Sequence, residues 1–184
     1  MQGPIMNSVR LGTIALAALA LGAAPAKAQF VHFGLSGGIT FPSADQSDAQ
    51  NKGYNGGVLL GFKAPLMPVG LRVDASLHHF SGKDVNVGGT TFNASTNLWM
   101  STADVTFDAP LPLPIKPYIL GGVGYYGAIT TVNGVPGSSS DKNFGINGGL
   151  GVQFTRLFVE ARWHRINGDG GSSTIMPLSV GFIF

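Results

Sequence analysis

Ile175-Met176-Pro177-Leu178-Ser179-Val180-Gly181-Phe182-Ile183-Phe184, the last ten residues of the 184-residue chain, decide the fold. The even positions Met176, Leu178, Val180, Phe182 and Phe184 are all large and apolar, while the odd ones include Pro177, Ser179 and Gly181. Side chains of a strand alternate between faces, so this is a strand with one wholly apolar face. No polar tail follows Phe184 in the sequence. A soluble sandwich would have to cover five such residues, whereas a strand whose face meets lipid needs no cover.

Working back from that strand, seven more segments alternate in the same way, separated by turn-rich stretches. Val31 to Phe41 sets Phe33, Leu35, Ile39 and Phe41 against His32, Ser36 and Thr40. Tyr54 to Ala64 carries Tyr54, Val58, Leu60 and Phe62 on its apolar face, and Val69 to Phe80 carries Val69, Leu71, Val73 and Leu77. Ser95 to Asp108 shows Trp99, Ala103, Val105 and Phe107, and Lys116 to Ala128 shows Ile119, Val123 and Tyr125. The cleanest alternation sets Phe144, Ile146, Leu150, Val152 and Phe154 against Asn143, Asn147 and Gln153. After a tight turn at Thr155-Arg156 comes Leu157 to Ile166, with Trp163 among its outward residues. The stretches Pro42 to Gly53, Ser81 to Ala94, Ile129 to Lys142 and Asn167 to Thr174 are polar and read as long loops. Pro65 to Pro68 and Pro110 to Pro114 read as short turns.

The front of the chain is different. Arg10 precedes an apolar run from Ile14 to Ala24, followed by Ala26-Lys27-Ala28. This is the pattern of a secretory signal peptide, residues 1–28, cleaved before Gln29, and the run is too short to span a membrane. Residues 29–184 then form one domain. The chain has no cysteine, so neither a lipoprotein anchor nor a disulfide is available. Removing the leader takes Arg10 and Lys27 from the eleven bases and leaves nine against nine acids. The pI near 9.0 therefore reflects the leader in part, and gives no case for nucleic acid as a partner.

Two regularities turn eight strands into an up-and-down antiparallel barrel that crosses a membrane. Long polar connections follow the first, third, fifth and seventh strands, and short ones follow the others, as in barrels with periplasmic turns and outer loops. Aromatic residues also recur at both ends of the outward face. Phe33 and Phe41, Tyr54 and Phe62, and Trp99 and Phe107 are each eight positions apart, roughly 20 Å of tilted strand. With Tyr125, Phe144, Phe154 and Trp163 they make candidate aromatic girdles. By the same alternation Lys63, Arg72, Asp74, Asp104, Glu160 and Arg162 point inward, three cations and three anions. An eight-stranded barrel is just wide enough for side chains to fill. These six are therefore expected to form a neutral hydrogen-bonded plug, with a narrow ion pathway as the alternative.

Arg72 and Asp74, Glu160 and Arg162, and the segments Lys116-Pro117-Tyr118-Ile119-Leu120-Gly121-Gly122-Val123-Gly124-Tyr125 and Phe158-Val159-Glu160-Ala161-Arg162-Trp163-His164 carry a family resemblance. Together they look like the small outer-membrane β-barrels of the opacity-protein and outer-membrane-protein-A type. The resemblance implies a cell outer-membrane protein with a structural or adhesin-like role. A weakly conducting porin-like channel is the second reading and a lipid-modifying enzyme the third. It implies contact with outer-membrane lipids and lipopolysaccharide, and an extracellular ligand, if any, held by the loops. The terminal strand also resembles those read by the barrel-assembly machinery, with Phe182 and Phe184 as the signal and little contribution of Phe184 to strand pairing itself.

Other motifs are weaker. Gly122-Val123-Gly124-Tyr125-Tyr126-Gly127 fits a dinucleotide fingerprint, but the helix that would hold the pyrophosphate is not there to follow, and no cofactor is expected. The glycines are expected instead to make room for Tyr118 and Tyr126. His32, His78 and His164 point inward, but His32 lies near the periplasmic end while His78 and His164 sit high, so no metal site is expected. Ser179 or Ser81 with His164 and Glu160 would be the residues of a hydrolase, but the last two point into the lumen, and the chain reads as no enzyme.

Overall fold

The computed structural model describes residues 31–42, 51–64, 67–81, 85–87, 90–92, 94–112, 114–132, 138–168 and 171–184. The expected leader and its cleavage point lie outside these residues, as does most of the loop after the first strand. Among the described residues ten strands run in the order β1 (Val31–Pro42), β2 (Gly53–Lys63), β3 (Val69–Ser81), β4 (Val85–Val87), β5 (Thr90–Phe92), β6 (Ala94–Asp108), β7 (Ile115–Val132), β8 (Ser138–Phe154), β9 (Leu157–Gly168) and β10 (Gly171–Ile183). Eight of them close into a barrel in the cyclic order β1-β10-β9-β8-β7-β6-β3-β2, each antiparallel to its neighbours. Closure is made by β1 against β10, from Gly34 opposite Ile183 to Pro42 opposite Ile175. A closed sheet leaves no edge strand to pair with another chain.

Strand existence follows the alternation, but three connections differ from the sequence reading. Residues 81–94 were expected to be loop; within them β4 and β5 pair as a separate two-stranded sheet. The expected loop from Ile129 to Lys142 is mostly ladder, because β7 continues to Val132 and β8 begins at Ser138. The expected loop from Asn167 to Thr174 is also mostly ladder, with Asn167 opposite Ser172 and Arg165 opposite Thr174. Ser, Thr and Gly read as turn chemistry in isolation. A ladder is held by backbone groups, however, so a polar segment extends a strand wherever its neighbour supplies register.

Pro177 marks one irregularity. The β9–β10 ladder runs to Ile175 opposite His164 and resumes in the same register at Leu178 opposite Ala161. Proline has no N–H to donate, which accounts for an interruption inside a central strand.

Aromatic rings inside the barrel lie over glycines on the next strand. Tyr118 is opposite Gly151, Phe158 opposite Gly181 and His32 opposite Gly61. A Cβ added at any of these glycines would collide with the facing ring. The narrow lumen is filled by pairing the largest side chains with the smallest.

Candidate functional site

The lumen is built in layers, from the turn end, where β2 joins β3, β6 joins β7 and β8 joins β9, to the opposite, loop end. At the turn end is a vestibule of about 570 Å³ lined by His32, Lys63, Asp108, Lys116 and Gln153 with turn residues Met67, Pro68 and Leu111. Lys63 passes over Gly70 on β3 and forms an ion pair with Asp108 on β6. A smaller pocket of about 70 Å³ reaches further in, to Leu59, Arg72 and Tyr118.

The next layer is a belt of five buried charges drawn from opposite walls. Arg72 on β3 donates to Asp74 Oδ1 at 2.7 and 3.0 Å, and across the lumen to Glu160 at 2.6 and 3.3 Å. Arg162 on β9 donates to Asp104 at 2.7 Å, Asp74 at 3.2 Å and the Thr102 hydroxyl at 3.2 Å. Its Nε lies 2.9 Å from Glu160 Oε1. Tyr118 OH donates to Glu160 at 2.7 Å and Thr102 to Asp104 at 2.9 Å. Phe158, under the Arg72 guanidinium with its ring centre 5.4 Å away, completes the packing.

The structure therefore brings together Arg72, Asp74, Asp104, Glu160 and Arg162, but not Lys63. The expected neutral set of six is instead a belt of two arginines and three carboxylates, formally −1, with a separate Lys63–Asp108 pair below it. The physical reason is height: Lys63 is the last residue of β2, at the turn end. Asp108 was missed although its even number on β6 gives it the inward direction of Asp104. Tyr118 and Thr102 were missed as belt members because nothing local distinguishes them from other inward residues.

Above the belt comes a neutral polar layer. His78 lies between the hydroxyls of Thr40, 2.7 Å from Nδ1, and Ser76, 3.1 Å from Nε2. Asn55 donates to Thr40 at 3.0 Å, and Ser179 donates to Asn55 at 3.0 Å. Tyr126 OH is 3.0 Å from His164 Nδ1. His78 and His164 thus share this layer while His32 lines the vestibule, and His79 is exposed and bonded to Asn97 at 2.8 Å. Ser179 is joined to Asn55, and Glu160 to two arginines and a tyrosine, so these residues form no serine–histidine–acid chain.

The last layer is apolar. Phe80, Leu98, Met100, Tyr126, Ile166 and Ile175 pack into one buried cluster at the loop end, with Phe80 only 2% exposed. The sequence reading gave the lumen a polar filling and missed this cap. Gly122, Gly124 and Gly127 all lie in β7, with no helix after them. Gly124 lies against the Tyr126 ring, whereas Gly127 faces outward beneath the Trp99 indole.

The outer wall carries the aromatic residues. Phe33, Phe62, Phe107 and Phe154 are exposed at the turn end together with Phe182 and Phe184. Phe41, Tyr54, Trp99, Tyr125, Phe144 and Trp163 project outward towards the loop end. Phe184 does more than was expected of it. Its N–H donates to Phe33 O at 2.8 Å, and its ring stacks on Phe33 at 4.7 Å, holding the β1–β10 seam at its lower end.

A closed eight-stranded antiparallel barrel, apolar outside and charged within, is the architecture of an outer-membrane barrel protein. The chain belongs to the outer membrane protein β-barrel domain family, whose description matches residues 13–184, and its place is the cell outer membrane. No curated protein matches it in sequence. Among solved structures it is similar in fold to Neisserial surface protein A, at a TM-score of 0.61 and 16% identity over 83% of this chain and 95% of that one. A major outer membrane protein from Thermus thermophilus gives 0.52 and 15%, over 84% and 99%. Ail of Yersinia pestis, solved with the heparin analogue sucrose octasulfate, gives 0.50 and 15%, over 85% and 100%. These likenesses show the fold alone.

Proposed function

We propose that this protein is a non-conducting structural or interaction barrel, with its loop end facing the exterior and its short turns facing the periplasm. The observation that carries the reading is the pair of seals in series: the belt of Arg72, Asp74, Asp104, Glu160 and Arg162, and the apolar cap around Phe80 and Tyr126. An ion entering the vestibule would have to break charge-assisted hydrogen bonds and then cross a dry apolar cluster. The placement of the wall in lipid is supported by the outward rows of Leu, Val and Phe, including Leu71, Val123 and Leu150, all more than half exposed.

Recognition then belongs to the connections at the loop end, on a scaffold that holds them in place. Ail, a barrel of the same fold, was solved with a sulfated sugar analogue, and an extracellular ligand of this chain would be met on that end. We assign no catalytic role, since His78 is held between two hydroxyls and His164 is bonded to the Tyr126 hydroxyl, both buried inside the lumen. Phe182 and Phe184 keep a proposed role as the strand end read during assembly, alongside the structural role of Phe184 in the seam.

The test is single-channel recording of the refolded protein in a planar bilayer. The reading predicts no conductance above the bare membrane. Steady, reproducible openings would replace it with the narrow channel.

A further inference from the structure

Four inward positions line up in one row across the ladders of β6, β7, β8 and β9. Asp104 is opposite Gly122, Gly122 opposite Asn147, and Asn147 opposite His164. The side chains of Asp104, Asn147 and His164 are enclosed in the lumen, at 3%, 6% and 1% exposure. Yet among the described residues nothing hydrogen-bonds to Asp104 Oδ1, to either polar atom of the Asn147 amide, or to His164 Nε2. A buried polar group left without a partner is costly and uncommon, and here three members of one row share that condition. The remaining atoms are already engaged. Arg162 and Thr102 donate to Asp104 Oδ2, and the Tyr126 hydroxyl meets His164 Nδ1.

Glycine makes the room. A Cβ built on Gly122 would stand 2.5 Å from Asp104 Oδ1, so that oxygen leans over β7 into the gap between Asp104 and Asn147. Along β8 the inward positions beside Asn147 are Gly145 and Gly149, which lie against the Tyr126 ring and the Arg162 stem. What fits between these glycines is small. Charge then decides which small species it is. The belt beside the row holds two arginines against three carboxylates, formally −1, and a buried net charge is costly unless balanced. A water molecule would satisfy the orphan atoms but leave the charge, whereas a monovalent cation answers both needs. Carboxylate and amide oxygens are donors for a hard cation. A divalent ion would turn the set formally positive. Among the described residues no three His, Cys, Asp or Glu side chains gather as metal ligands, so the row is not a transition-metal site.

We propose that this row binds one small monovalent metal cation, sodium in ordinary salt, between Asp104 Oδ1 and Asn147 Oδ1 on either side of Gly122. A water on the ion accepts from Asn147 Nδ2 and donates to His164 Nε2, which is the acceptor when Nδ1 carries the hydrogen towards Tyr126. The ion brings the belt to neutrality and is enclosed by the side chains around it, so it is a structural part of the lumen. The site does not depend on which end of the barrel faces the exterior.

The test is to refold the barrel into non-ionic detergent in sodium, magnesium or choline chloride at matched ionic strength and read the thermal unfolding midpoint. As sodium replaces choline, the midpoint of the unaltered barrel should climb by several degrees and then level off, as for a saturable site that the unfolded chain lacks. Magnesium should not substitute for sodium. Asn147→Leu puts an apolar side chain of similar size in place of the orphan amide, and the climb should vanish. Asp104→Asn should abolish it too, while Asp108→Asn, in the vestibule, should keep it. Sodium-23 NMR gives an independent reading: the unaltered barrel should broaden the line and Asn147→Leu should not. The proposal is overturned if the midpoint is the same in sodium and choline, which would leave a bridging water only. It is also overturned if Asn147→Leu keeps the full sodium dependence, or if magnesium alone reproduces it. Heat-shifted gel mobility confirms that each variant folds, and Asn147→Leu decides the matter should Asp104→Asn fail to close.

Discussion

At the scale of single residues, facing is set by parity and identity by the neighbour across the ladder. Gly151 and Gly148 lie three apart on β8 in the same kind of sequence, Gly148-Gly149-Leu150-Gly151, yet their surroundings are opposite. A Cβ at Gly151 would strike the Tyr118 ring, while at Gly148 its nearest neighbour is the Leu120 carbonyl oxygen at 3.7 Å. Gly151→Ala should therefore cost about 1–3 kcal/mol through overpacking, and Gly148→Ala should be nearly neutral. Urea titration of the refolded variants, followed by Trp fluorescence, reads the difference. Equal effects would show that Tyr118 does not occupy the lumen over Gly151. The inward or outward direction of both glycines was legible in the sequence, since period two needs only counting. The ring above Gly151 was not, because its partner Tyr118 belongs to another strand and only register brings the two together.

At the scale of elements, the strands were legible and their ends were not. On the proposed placement, the apolar alternation of β3 or β8 marks the part of a strand that would meet lipid, and it stops where the lipid would stop. The backbone ladder continues past it, which is why β7 and β8 run on through Thr130 and Ser138 where the sequence reads as loop. The lipid-facing span can be tested on β8 alone. Leu150 projects outward at 63% exposure, and Gln153 lines the vestibule. Leu150→Arg should destabilise the barrel in a bilayer by about 2–4 kcal/mol, as for a cation near the midplane, while Gln153→Arg should cost far less. Refolding equilibria in phospholipid vesicles measure both, and equal costs would mean that β8 is not placed across the membrane as proposed.

At the scale of the whole molecule, closure decides what the lumen is. Arg72 and Glu160 stand 88 residues apart, on β3 and β9, which are not neighbours in the barrel but face each other across it. Pairing of adjacent strands gives no hint of such a contact. The list of inward charges was thus readable from the sequence, but the membership of the belt was not. The exclusion of Lys63 also changes its energetics. With two arginines for three carboxylates, loss of an arginine leaves three carboxylates with one, whereas loss of one carboxylate balances the set.

The central claim, a dry and paired lumen, is tested most directly by a double-mutant cycle on Arg72 and Glu160, read by denaturant unfolding of the refolded barrel. Arg72→Met alone should cost on the order of 3–5 kcal/mol, because it leaves buried carboxylates without their partner. Glu160→Gln should cost less, since Arg72 keeps Asp74 and Arg162 keeps Asp104. The double variant should lose clearly less than the two single losses added together. A water-filled lumen would screen each group, and each single change would then cost under about 1 kcal/mol with losses that simply add. That result would contradict the plug.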